Sequence, residues 1–143
     1  MFSKVVTGFV AMIFAGGIAY AVEKDPLKPR VPADQMAAAK AMKNPVANTP
    51  ENVAKGKAVF EGKGGCVACH GPAGDGKGIA AAALDPSPRN FHNAAFWKAR
   101  TDGEIKWVVT NGVVGTGMIG QKGLLTDEEM WQAIVYAKSF SGK

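Results

Sequence analysis

The sequence predicts an all-α fold: a small domain of three to five helices over residues 49–143. Two observations carry that reading, and a third says what the helices enclose. Helix starts are marked three times, at Thr49-Pro50-Glu51, at Thr101 with Glu104 and at Thr126 with Glu129, each followed by apolar residues at helical spacing. Glycine-rich stretches, too flexible for helix, separate them. Between the first two starts lies Cys66-Val67-Ala68-Cys69-His70, the pattern C-x-x-C-H.

At 143 residues the chain has room for one domain, and a Pro-rich N-terminal third makes that domain smaller than the chain. With 47% hydrophobic and 20% charged residues it is neither a disordered chain nor a multi-span membrane protein. Net charge is +5, and Lys4 is the one charge among the first 21 residues. So mild and evenly spread a bias does not argue for nucleic acid as a partner, and docking to acidic patches on proteins is the more economical reading.

Lys4 precedes Val5 to Val22, an uncharged run ending in Ala19-Tyr20-Ala21, an A-x-A cleavage pattern. Residues 1–21 therefore read as a secretory signal. The alternative is an uncleaved membrane anchor through residues 5–22, a run at the lower limit of what spans a bilayer. Either way the chain is exported, to the periplasm or the outer face of the cytoplasmic membrane. Residues 22–48 carry Pro26, Pro29, Pro32 and Pro45 among Lys and Ala. That is linker chemistry, with a short helix around Asp34 to Met42 and too few apolar residues for a core.

The first helix of the domain opens with Thr49 as N-cap and Pro50 at the first helical position. Val53, Gly56 and Phe60 then share one face. Gly56 is the odd member, because glycine in a helix interior costs roughly 1 kcal/mol against alanine; on an apolar face it points to another helix crossing close by.

Two thiols three positions apart lie on one face of a helical turn, where both reach the vinyl groups along one side of a porphyrin and form thioethers. His70, next to the second thiol, is placed to bind the iron as proximal ligand. The implied cofactor is one covalently bound haem c. A redox dithiol would need a neighbouring βαβ pattern, and a zinc site would need Cys66, Cys69, His70 and His92 together, every Cys and His in the chain. Leu84 to Phe91, with Pro86 and Pro88, follows as extended structure able to offer a backbone carbonyl to the other ring nitrogen of His70.

Thr101 and Glu104 open a compact helix to Asn111, with Ile105, Val108 and Val109 as its apolar stripe and Gly112 as its stop. Residues 112–123 hold five glycines around Met118. The last helix has a capping box at Thr126 and Glu129, staple residues Leu125 and Met130, and a stripe of Trp131, Ile134 and Val135. For a second axial ligand the candidates are Met118, Met130 and His92. Met130 has a packing role at its staple position and His92 reads as a polar loop residue, so Met118, in its flexible loop, is the expected distal ligand. A thioether opposite an imidazole raises the reduction potential.

With C-x-x-C-H followed by Gly71, a downstream Met in a glycine loop and paired terminal helices, residues 49–143 resemble the small class I, monohaem cytochromes c of bacteria. The resemblance implies an all-α fold around one haem, with Gly56 and Phe60 packed against Tyr136 and a Pro-rich segment, at Pro86 or Pro88, covering the proximal side. It implies a one-electron carrier and not an enzyme, shuttling between periplasmic or membrane redox partners of a respiratory chain. Two other functions remain: a haem enzyme or gas-sensing subunit with an open sixth position, and a fixed haem subunit of a larger respiratory complex. Lys63, Lys77 and Lys122 are candidates for a docking ring around the haem-bearing loops.

Overall fold

The computed structural model describes residues 24–143. The leader and anchor readings of residues 1–21 and 5–22 fall outside the described residues. Among the described residues there are six α-helices: α1 (Met36–Ala41), α2 (Pro50–Glu61), α3 (Val67–His70), α4 (Ala94–Lys98), α5 (Asp102–Asn111) and α6 (Asp127–Lys138). A 3-10 turn at Ala81–Ala83 and two isolated bridges complete the regular structure. None of these helices is long and apolar enough to cross a membrane.

The three long helices begin where the sequence marks them. The Thr49 side chain accepts from the Asn52 N–H with Pro50 at N1, and the capping boxes of Thr101 with Glu104 and Thr126 with Glu129 are both closed. Gly112 ends α5. The staple also forms, since Leu125 and Met130 are buried in one cluster with Val59 and Ala133. α4 is not signalled by periodicity, because five residues are too few to show one. Its start comes from the Asn93 side chain, which accepts from the Ala95 and Phe96 N–H groups, and its Phe96 and Trp97 are buried.

α2 and α6 form the main helix pair. A Cβ on Gly56 would stand 2.0 Å from the Gln132 carbonyl oxygen and 2.9 Å from the Tyr136 Cβ, so the helices cross backbone to backbone at this point. One turn on, Phe60 meets Tyr136 edge to face with centroids 5.3 Å apart. Phe91, Phe96, Trp97 and Phe140 extend that contact into one aromatic cluster. α5 is joined to α6 at both ends, by Lys106 with Asp127 at 2.6 Å and Lys138 with Asp102 at 2.7 Å. The Lys106 ammonium also lies 5.4 Å from the Trp131 ring centre, so this nearly buried cation is compensated on two sides.

The sequence assigns residues 22–48 to a flexible linker, yet from residue 24 onward the segment is laid on the domain. Val31 and Ala39 are buried, at 6% and 1% exposure. α1 packs on α5, where a Cβ on Gly103 would stand 2.0 Å from the Ala39 carbonyl oxygen. The Trp107 indole N–H donates to Gln35 at 2.7 Å. Sparse apolar residues suffice here because backbone approach and hydrogen bonds, which hydropathy does not register, do the holding.

The crossing yields the first prediction. Gly56→Val forces α2 away from α6 and lowers the unfolding free energy of the holoprotein by about 3 kcal/mol. Lys57→Val, on the exposed side of the same turn, stays within about 0.5 kcal/mol of wild type in the same denaturant titration.

Candidate metal centre

After α2 the chain turns through Gly62 to Gly65 and enters α3, a single helical turn made of the C-x-x-C-H motif itself. The Cys69 and His70 N–H groups both donate to the Cys66 carbonyl, at 3.2 and 2.9 Å. One turn thus presents both thiols and the imidazole to a cavity of about 510 Å³, whose lining includes Cys66, Cys69, His70 and Met118. That volume lies within the ~300–1,000 Å³ usual for cofactor sites. The walls are largely aliphatic and aromatic, drawn from α2, α5, α6 and the loop around Met118.

His70 is held from two sides. Its Nδ1 donates to the Arg89 carbonyl at 3.1 Å, and its ring stacks on Phe91 with centroids 4.5 Å apart and planes at 18°. Burial pushes its pKa down, against the opposing effect of the Arg89 carbonyl. The imidazole is therefore neutral at physiological pH, with its proton on Nδ1 and Nε2 left as a lone-pair donor, the form in which histidine binds a metal. Among the described residues no hydrogen bond engages Nε2. The carbonyl comes from the extended Pro-rich segment, but from Arg89 and not from Pro86 or Pro88. Which carbonyl in such a segment is aimed at the ring depends on its path over the domain, and no side chain encodes that.

Met118 lies in the glycine loop on the same cavity. Its N–H donates to Thr116 Oγ1 at 3.1 Å, and its carbonyl accepts from Val113 at 2.9 Å, so the loop is bonded across itself. The other two candidate ligands are engaged elsewhere. Met130 is a buried α6 residue, at 3% exposure, whose Sδ accepts from the Thr110 hydroxyl at 3.4 Å. His92 directs Nδ1 to the Lys143 main-chain oxygen at 3.0 Å and Nε2 to the Ala73 carbonyl at 2.7 Å. Neither lines the cavity.

The same geometry weighs against zinc and dithiol chemistry. Among the described residues no three His, Cys, Asp or Glu side chains converge as a metal cage. Burial raises the Cys66 thiol to about 11, whereas dithiol oxidants depend on a depressed thiol pKa. A protonated, half-buried thiol beside an apolar wall suits a permanent bond to an apolar cofactor. Two thiols on one side, an oriented neutral imidazole, a thioether and apolar walls together fit a porphyrin carrying iron.

Phe91 and Arg89 are functional neighbours that the sequence reading does not single out. An aromatic three residues beyond a Pro-x-Pro segment is the one signal that points to Phe91. Lys63, a candidate for a docking ring, is instead paired with Glu129 at 2.9 Å.

A family model described as Cytochrome c matches residues 53–141. No curated protein matches the chain. Among solved structures, a chain of the reducing HAO-like protein complex of Kuenenia stuttgartiensis is similar, with a TM-score of 0.60 and 28% sequence identity. The likeness covers 68% of this chain and 47% of that one, so the present chain spans about half the length of that relative.

The placement of His92 gives the second prediction. His92→Ala leaves the visible spectrum of the haem-loaded protein unchanged and lowers its stability by about 1 kcal/mol through the lost hydrogen bonds; a changed spectrum would return His92 to the ligand set.

Proposed function

The chain belongs to the cytochrome c family, and from that premise we propose that it is a one-electron carrier with His70 and Met118 as axial ligands and Cys66 and Cys69 as thioether attachments. The family's cofactor is a covalently bound c-type haem, and its general chemistry is haem-based electron transfer between redox proteins. When bound, the haem supplies a ferric/ferrous couple. The observation that carries the proposal is that His70 and Met118 line one cavity while Met130 and His92 are held away from it.

Each residue has a defined task. Cys66 and Cys69 fix the cofactor to α3. Arg89 and Phe91 hold the His70 imidazole in one tautomer and one plane, so that little reorganises when the charge at the iron changes. The bonded loop around Met118 delivers a soft sulfur donor that favours ferrous iron and raises the potential. Were His70 and Met118 both to hold the iron, small oxidants would have no coordination position, as a carrier requires and an enzyme or gas sensor does not.

Cytochrome c domains are typically exported, in keeping with a domain over residues 49–143 that is delivered to the periplasm by residues 1–21. A fixed haem subunit of a larger assembly is the second reading. It is favoured by the likeness to a chain of a protein complex, and acidic patches on the partner would suit the chain's net charge of +5.

Two predictions follow from these roles. In Met118→Ala the sulfur-to-iron band near roughly 700 nm disappears and the potential falls, with the haem still covalently bound; an unchanged band would remove Met118 from the iron. N-terminal sequencing of the exported holoprotein should begin at Val22, whereas a chain that retains Lys4 and partitions into detergent would identify residues 5–22 as an anchor.

A further inference from the structure

Both holds on the His70 imidazole come from one stretch of chain: the Arg89 carbonyl on Nδ1 and the Phe91 ring on its face. Asn90 alone separates the two residues. Whatever fixes this stretch therefore fixes both contacts together.

Three contacts fix it. The Phe91 N–H donates to the Gly74 carbonyl at 2.7 Å. Gly76 lies against the stretch, since a Cβ there would stand 2.6 Å from the Pro88 carbonyl oxygen and 3.3 Å from that of Arg89; its own N–H donates to the His70 carbonyl at 2.9 Å. Third, the Phe91 carbonyl accepts the Trp97 indole N–H at 2.7 Å. The first two are made by backbone, the third by a side chain. Trp97 is buried, at 8% exposure, on α4, whose start is set by the Asn93 cap. Its ring centre lies 5.6 Å from that of Phe91 and meets Phe96 edge to face at 5.1 Å. An indole has one donor and no acceptor, and here that donor goes to the main chain of the residue that stacks on His70. Trp97 does not itself line the cavity.

We propose that Trp97 is a positioning residue of the metal centre, acting through Phe91 to keep the Arg89 carbonyl on His70 Nδ1 and the Phe91 ring against the imidazole. The proposal rests on the reading of His70 as proximal ligand. A carbonyl on Nδ1–H raises the basicity of a metal-bound imidazole, and a more basic donor favours the ferric state. Released from Trp97, the stretch would hold that carbonyl less closely. His70 would become the weaker donor and the potential would rise.

Proton NMR and redox potentiometry of the full-length holoprotein test this with Trp97→Phe, which keeps an aromatic ring and removes the N–H. In the ferrous protein the His70 Nδ1–H resonance should move upfield as its hydrogen bond lengthens, and the potential should rise. Trp107→Phe is the control. It removes an indole N–H that donates to Gln35 at 2.7 Å from a residue not on the cavity lining, so it should weaken the fold through an equivalent lost bond and move neither readout. Asn93→Ala, which unfastens the start of α4, should give the same two shifts and serves as the second variant should Trp97→Phe fail to accumulate. Wild-type values of both readouts in whichever of the two accumulates would make Trp97 a packing residue only and overturn the proposal. A wild-type holoprotein whose His70 ring resonances show no displacement by the haem would instead overturn the proximal assignment, before any variant is compared.

Discussion

The approach of α2 to α6 at Gly56 is the constraint on which the rest of the structure depends. With hydrogen at that position, the two backbones meet at a distance that no other side chain permits. Phe60 then reaches Tyr136, and the aromatic cluster runs on through Phe91 to the His70 ring, whose centroid lies 6.3 Å from that of Phe60. The end of α2 and the turn into α3 are fixed by the same crossing, and with them the direction in which both thiols face. A wider crossing would loosen the wall behind the cavity and the platform beneath the imidazole together.

Around that platform the chain separates rigid from adaptable parts. His70 is over-determined, with a carbonyl on Nδ1, an aromatic face against the ring and burial that keeps it neutral. Met118 is delivered by a glycine loop closed by its own hydrogen bonds. A hard-held nitrogen and a loop-borne sulfur make a sensible pair for one-electron chemistry. In the proposed site the imidazole would fix one ligand position, while the loop would adjust a long, polarizable thioether to the other.

Much of this was legible in the sequence, for identifiable reasons. Thr49, Thr101 and Thr126 mark helix starts because capping is local chemistry, settled within four residues. Gly56 announces a crossing because a glycine on an apolar helix face has few other uses. C-x-x-C-H states its own geometry. What stayed illegible depends on long-range placement. The Arg89 carbonyl is the same group as any other carbonyl until the Pro-rich segment is laid over His70. Residues 24–48 read as a linker because Val31, Ala39 and the contacts of Gln35 and Leu27 leave no apolar periodicity to detect. α4 was too short to be seen, although Asn93 caps it.

The central proposal is that Met118 and His70 would together hold the haem iron. The most direct measurement is the proton NMR spectrum of the reduced, diamagnetic holoprotein with methyl-labelled methionine. The chain has 6 methionines, and a methyl group held against the porphyrin face feels its ring current far more strongly than the others. The account predicts one methionine methyl resonance displaced upfield of all the rest, which disappears in Met118→Leu. A displaced resonance that survives that substitution, or none displaced at all, would contradict it.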